Sequence, residues 1–285
     1  MRPNLPHESG RIHYSLLMRR RDFLSALAVS VAVAAQGGPA LAQPTDAPPG
    51  RLPPRNDGVR NLVPPPPPPS FRAPVLERRW SPGGVVSGLP GDGNLVALTV
   101  DDGGSSEVIA AYARWCAETG MRVTFFLNGS LPGWTEHAGL LAPLIANGQV
   151  QMANHTWTHS DLLTLDDAAI QQDLLINDDF IRNTYGVEAR PYFRPPFGKH
   201  DARVDAAAAA IGYTVPVLWY GSFADSGEIP AEVLLQYANE WLLPQHIVIG
   251  HANHSPVTTV FPQIAQIIAE RGLQPVTLDD VWYRP

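Results

Sequence analysis

Two adjacent carboxylates, Asp101 and Asp102, close the apolar run Leu98-Thr99-Val100 and precede Gly103, and two imidazoles, His155 and His159, stand farther along the chain. An Asp-Asp-Gly sequence alone is explained by a solvated turn whose side chains bond their own backbone. The histidine pair makes a different case. Two nitrogens and one carboxylate oxygen suit Zn²⁺ or a similar divalent ion, and such a set leaves positions open for water and substrate. A carboxylate bound to a cation is a poor base. Asp102 therefore joins His155 and His159 as a metal ligand, and Asp101 remains free to accept a proton from water acidified by the ion.

The spacing His155-Thr-Trp-Thr-His159 brings the two rings together on a helical turn or in a tight loop. Arg194 can reach Asp101 and hold it in place; the plainer alternative is a surface arginine followed by prolines that stiffen a turn. His251 ends the apolar run Ile247-Val248-Ile249-Gly250 and is the natural acid for a leaving group, with a satisfied buried histidine as its alternative.

These groups must be positioned by elements that the patterning supplies. Short β-branched runs alternate with longer amphipathic ones: strands are expected at 95–100, 122–126, 150–153, 192–193, 214–218, 247–249 and 275–278. Helices are expected at 105–119, 136–146, 165–185, 201–210, 231–241 and 261–271. Repeated strand–helix units imply an α/β fold with a parallel sheet, open or closed into a barrel. The two aspartates, the histidine pair, Arg194 and His251 each follow a strand. They collect at the carboxyl ends of parallel strands, where α/β enzymes build their sites.

The chain has 285 residues, 45% of them apolar and 16% charged, which is enough for a substantial core. Its net charge of −7 offers no phosphate-binding field, so nucleic acid is not an expected partner. The one cysteine, Cys116, lies in an apolar helical pattern and reads as a small core residue. Before the catalytic region, Arg19-Arg20-Arg21-Asp22-Phe23-Leu24 precedes a weakly apolar run, and Ala40-Leu41-Ala42 offers a cleavage site. Residues 1–42 are accordingly expected to be an N-terminal extension with a twin-arginine signal, starting at Met18, and the run is too short for a stable membrane anchor. Residues 43–74, with six consecutive prolines from Pro64 to Pro69, read as a stiff linker suited to cell-wall association, and 75–285 as the catalytic domain.

Taken together, the motifs resemble those of the NodB-homology polysaccharide deacetylases, carbohydrate esterase family 4. The likeness runs from about Asn94 to Trp282 and rests on Thr99-Val100-Asp101-Asp102-Gly103, Asn154-His155-Thr156-Trp157-Thr158-His159, Arg194-Pro195-Pro196-Phe197-Gly198 and Ile247-Val248-Ile249-Gly250-His251. The resemblance implies a distorted (β/α) barrel of about seven parallel strands. It also implies Asp101 as base, Asp102, His155 and His159 as Zn²⁺ or Co²⁺ ligands, Arg194 as the group orienting Asp101, His251 as acid, and the backbone N–H of Phe197 as an oxyanion donor. Asp225 aligns with the family's aspartate that holds the catalytic histidine. Three positions depart from the family pattern: Ser226 replaces a tryptophan of the acetyl wall, Gly104 stands where proline is usual, and Ala252 where aspartate commonly follows the histidine.

The expected reaction is removal of N-acetyl groups from an extracellular polysaccharide, with N-acetylglucosamine of peptidoglycan or a chitin-like polymer first. An O-acetyl xylan esterase, a small-molecule amidase and a non-catalytic carbohydrate-binding protein are the alternatives. Trp134, Trp157, Trp219 and Tyr220 are expected either to stack on sugar faces or to pack in the core, and Trp157, Trp219, Tyr220 and Ser226 are the candidate substrate wall.

Overall fold

The computed structural model describes residues 68–284. The expected signal segment at 1–42 and the linker up to residue 67 lie outside the described residues. The last part of the expected linker lies against the domain: the Phe71 N–H donates to Thr119 O at 2.7 Å, and its ring packs on the core.

Eight parallel strands form the sheet: β1 (Leu95–Asp102), β2 (Val123–Leu127), β3 (Val150–Asn154), β4 (Tyr192–Phe193), β5 (Val215–Pro216), β6 (Gly221–Ser222), β7 (His246–His251) and β8 (Gln274–Pro275). Their order is β5-β4-β3-β2-β1-β7-β6, with β8 pairing the start of β1. The edge strands β5 and β6 are adjacent in the chain, so the sheet must curl. Val86 bridges to Val217 beside β5, and Gly88 to His246 on β7, which partly fills the gap of a distorted, open barrel.

Six helices of eight residues or more accompany the sheet: α1 (Ser106–Thr119), α2 (Ala138–Ala146), α3 (Asp167–Tyr185), α4 (Ala202–Ala209), α5 (Ala231–Trp241) and α6 (Phe261–Glu270). Their limits follow from local chemistry. Ser105 caps α1 by accepting from the Val108 N–H, and Gly120 ends it in a left-handed conformation with φ 73°, which only glycine adopts at little cost. Asp166 and Gly186 bracket α3 in the same way.

Strand alternation divides the interior into two apolar layers. Val96, Leu98 and Val100 of β1 face the helices with Val123, Phe125 and Leu127 of β2. Ala97, Phe126, Ala153 and Ile247 face the barrel interior with Tyr192, Val215 and Val217. The inward face of β1 therefore reads Ala97, Thr99, Asp101, and a carboxylate is carried to the top of the barrel by a strand anchored on both sides.

Three sequence expectations are corrected. The helix expected at 136–146 breaks at His137 into a short turn, Gly133–Glu136, and α2. The strand expected at 275–278 ends at Pro275, because Thr277 and Asp280 form a reciprocal capping box that starts a helical turn at Leu278. The strand expected at 214–218 is only Val215–Pro216, while Gly221–Ser222, too short for a periodic signal, forms an edge strand.

Candidate active site

Successive residues of a strand point to opposite faces, so two adjacent aspartates do not ordinarily reach one site. Here the chain turns at Asp102, whose φ of 70° lies in the left-handed region and is followed by Gly103 at φ 113°. The turn is pinned by two donors on the Asp102 carbonyl: the Asn128 N–H at 3.1 Å and the indole Nε1 of buried Trp134 at 2.8 Å. A Cβ on Gly103 would lie 2.3 Å from that Nε1, so the glycine permits the indole's approach as well as the backbone conformation. Both carboxylates consequently border one cavity.

His155 follows β3 directly, and residues 155–161 form a tight loop rather than a helical turn. Thr156 and His159 take φ values of 65° and 54°, held by Asn154 Oδ1 accepting from the Thr156 N–H and Thr156 Oγ1 accepting from the His159 N–H. His155 Nδ1 lies 2.8 Å from the Arg194 carbonyl and donates to it, which leaves the Nε2 lone pair for a cation. His155 Nε2 and His159 Nε2 each lie 3.2 Å from Asp102 Oδ1.

That Oδ1 is buried and has no hydrogen-bond donor. A carboxylate oxygen left without a donor between two imidazole nitrogens calls for a positive charge. The separations also match the spacing between two ligands of an ion bound at about 2.0–2.2 Å. The three side chains therefore fit a divalent cation, and among the described residues they form the His/Asp group whose ligand atoms lie close enough together to hold one. Burial opposes ionisation of Asp102, but the two imidazole nitrogens beside its carboxylate, the charge of His155 and a bond from Asn253 hold its carboxyl far below the usual range. Burial likewise opposes protonation of His155, yet Asp101 and Asp102 raise its pKa overall. A cation would displace that proton, so metal binding must compete with acid.

Asp101 is held separately. Arg194 is 0% exposed and places Nη1 2.5 Å from Asp101 Oδ1, while Nε donates to Val217 O at 2.9 Å and Nη2 to Leu218 O at 3.3 Å. The guanidinium also lies over Phe126, 4.2 Å from its ring centroid, and over Trp219 at 5.5 Å. A buried guanidinium fixed on these sides sets the Asp101 rotamer. Asp101 Oδ2 is 3.6 Å from His155 Nε2, at the border of the metal cluster.

His251 ends β7. Its Nδ1 lies 2.9 Å from Asp225 Oδ1, and its backbone N–H donates to Asp225 Oδ2 at 3.2 Å. One carboxylate thus fixes both ring and backbone, and Nε2 is the ring nitrogen outside that pair. Burial pushes the His251 pKa down, but the Asp225 bond and the charges of Asp101, Asp225 and Asp102 outweigh it and raise the pKa above the ordinary value.

A cavity of about 480 Å³ joins these groups. Asp101, Asp102, His155, His159 and His251 line it together with Phe197, Gly198, Trp219, Ser222, Ser226, Ile249 and Asn253. Of the four expected wall residues, Trp219 and Ser226 are there. Tyr220 is not among the lining residues: it is 61% exposed and stacks on His246, at the opposite end of β7 from His251. Trp157 packs instead against Phe180 of α3. Tyr220 is held away from the site by its stack on His246, and Trp157 by its packing on Phe180. Trp134 is a core residue, and its link to Asp102 was not legible in the sequence. Asn253 and Ser222 were also missed; the offset of two from His251 is a signal that could have flagged Asn253.

A family model described as polysaccharide deacetylase matches residues 89–216, a span that includes both aspartates, the histidine pair, Arg194 and Phe197. An uncharacterised protein of Streptomyces coelicolor is 30% identical over 201 residues, covering 69% of this chain and 76% of its own. A chitin deacetylase of Pestalotiopsis sp is 28% identical over 217 residues, covering 72% of this chain and 70% of its own. The solved structure of the Bc1960 peptidoglycan N-acetylglucosamine deacetylase superposes with a TM-score of 0.63 at 19% identity, covering 71% of this chain and 94% of that one, a likeness of fold. The matched span carries all three side chains that fit a cation, so sequence and geometry lead to one assignment: this chain belongs to the polysaccharide deacetylase family.

Proposed function

We propose that this protein hydrolyses N-acetyl groups of an extracellular polysaccharide, with N-acetylglucosamine residues of peptidoglycan or a chitin-like polymer as substrate and Zn²⁺ as the ion held by Asp102, His155 and His159. The observation that carries this reading is the placement of two differently supported proton carriers on one cavity: Asp101 fixed by Arg194, and His251 fixed by Asp225.

When bound, the ion supplies a Lewis acid that acidifies water and polarises the acetyl carbonyl. Asp101 accepts the proton of the attacking water, and Arg194 holds the carboxylate at the angle this transfer requires. The backbone N–H of Phe197, in the 3₁₀ turn Pro196–Gly198, is the donor assigned to the developing oxyanion. His251 delivers a proton from Nε2 to the departing amine, while Asp225 stabilises the imidazolium that serves as acid. Acetate and a free amine are the products.

A polymer is favoured over a small amide by the shape of the site. A second recess lined by Asn128, Ser130, Thr158 and His254 shares Asp102, His159 and Asn253 with the first, which makes a trough along the metal cluster rather than a closed chamber. The likeness to a chitin deacetylase supports an N-acetylglucosamine polymer. The twin-arginine-like segment and proline-rich linker support an exported enzyme that meets its polymer in the cell wall.

Released acetate measured on peptidoglycan, chitooligosaccharides, acetylated xylan and small N-acetyl compounds, with and without added Zn²⁺ or Co²⁺, tests the proposal. Metal-dependent release from the N-acetylglucosamine polymers is expected to be fastest. Preference for xylan or for small amides would replace the substrate, and binding without acetate release would make the protein a carbohydrate-binding module.

A further inference from the structure

The carboxylate of Asp102 has two chemically equivalent oxygens, and only Oδ1 faces both histidines. What distinguishes the two is Asn253. Its Nδ2 donates to Asp102 Oδ2 at 2.7 Å, and its Oδ1 accepts the Gly104 N–H at 2.8 Å. A backbone N–H can only donate and an ionised carboxylate can only accept, so the group between them must do both in opposite directions. A primary amide meets that requirement, and the Gly104 N–H fixes which end of the amide faces Asp102.

Gly104 is matched to this arrangement. A Cβ at position 104 would lie 2.8 Å from Asn253 Oδ1, closer than real contacts allow, and a proline there would also remove the donated N–H. Two features of the sequence, the glycine at 104 and the asparagine two residues after His251, are thereby one device. Asn253 lines both recesses of the trough, so its position is part of the site's wall as well.

We infer that Asn253, oriented by the Gly104 N–H, is a positioning residue that reserves Asp102 Oδ1 for the cation by occupying Oδ2. The inference rests on the metal reading of Asp102, His155 and His159. Residues that orient a metal ligand typically change affinity 10- to 100-fold when removed. They act on the ion through the ligand, without touching it.

The test is Zn²⁺ affinity by chelator competition on the full chain, with the thermal midpoint of the metal-free protein and the visible spectrum of the Co²⁺ form as companion readouts. Asn253→Ala is expected to raise the Zn²⁺ dissociation constant roughly 10- to 100-fold and to alter the Co²⁺ spectrum, with the metal-free protein still unfolding in one cooperative transition. Asn253→Leu, which keeps the branched shape and deletes both hydrogen bonds, carries the same expectation and the measurement if the alanine variant does not fold. Gly104→Pro is expected to weaken Zn²⁺ binding in the wild-type background and to add almost nothing to Asn253→Ala, because both changes break one linkage.

Zn²⁺ affinity unchanged in both Asn253 variants would overturn the inference and leave the metal reading standing. So would an equal effect of Gly104→Pro with and without Asn253. A wild-type protein that binds neither Zn²⁺ nor Co²⁺ would overturn the metal reading itself, and this inference with it.

Discussion

Asp101 and His251 are register partners on the adjacent parallel strands β1 and β7, and both face the barrel interior. Their relative position is thus set by the backbone ladder in the middle of the sheet. The Asp102-His155-His159 cluster is assembled differently, from a left-handed residue at a strand end and from a loop. The proposed proton carriers are placed by the sheet, and the proposed metal ligands by the turns above it. This division makes the two kinds of residue separable by mutation.

Asp101→Asn removes the free carboxylate and leaves all three ligands, so it is expected to lower kcat by about 10²–10⁴ with metal content nearly unchanged. Asp102→Asn and His155→Ala are expected to lower both. Metal analysis of the purified variants beside acetate-release kinetics checks the division, and equal metal loss in Asp101→Asn and Asp102→Asn would refute it.

The buried Arg194–Asp101 pair should be costly to break from one side. Arg194→Met leaves an unpaired buried carboxylate and is expected to destabilise the fold by about 3–5 kcal/mol. Adding Asp101→Asn, which removes the charge left behind, is expected to restore part of that loss. Urea unfolding of the two single variants and the double variant measures the coupling; strict additivity would show that the pair is not coupled.

Asp225 raises the His251 pKa, which keeps the imidazole protonated to higher pH. The stabilisation this interaction gives the fold is complete below the ordinary histidine value and is lost as pH rises through the raised one. Asp225→Asn removes the charge, so the alkaline limb of kcat/KM is expected to move to lower pH and the maximum to fall. A pH–rate profile with an unmoved alkaline limb would separate His251 from the acid role.

Ser226 lines the cavity where family members commonly carry tryptophan. A smaller wall should admit larger acyl groups, and a pocket difference of about one methylene shifts relative rates roughly 10- to 200-fold. Ser226→Trp is expected to depress turnover of N-propionyl more than of N-acetyl glucosamine oligomers. An unchanged ratio of kcat/KM between the two substrates would show that residue 226 does not border the acyl group.

Gly103→Ala would force a side chain into φ 113° and against the Trp134 indole. A cost of at least about 1–3 kcal/mol is expected from the backbone conformation alone. Trp134→Phe, which deletes the bond to the Asp102 carbonyl and leaves a cavity where part of the buried indole packed, is expected to cost more than the roughly 1 kcal/mol of the hydrogen bond alone. Thermal denaturation of both variants, with Zn²⁺ affinity alongside, checks whether this contact supports the ligand turn.

By itself the sequence determined the α/β class, most of the strands and helices, and the residue types of the site. Apolar runs such as Leu95–Val100 declare burial on both faces, and Asp101, Asp102, His155, His159, Arg194 and His251 each stand where such a run or its following turn ends. These are local signals, carried by period and composition. Only the tertiary structure decided how adjacent aspartates could share one cavity, because the left-handed turn at Asp102 depends on Asn128 and Trp134 from distant segments. It also decided that Trp219 borders the site while Tyr220 and Trp157 do not, and that Asn253 meets Asp102 across the top of the sheet. A side chain's direction at the end of a strand depends on the turn that follows and on what packs beneath it. Those partners are remote in sequence, and no local pattern records them.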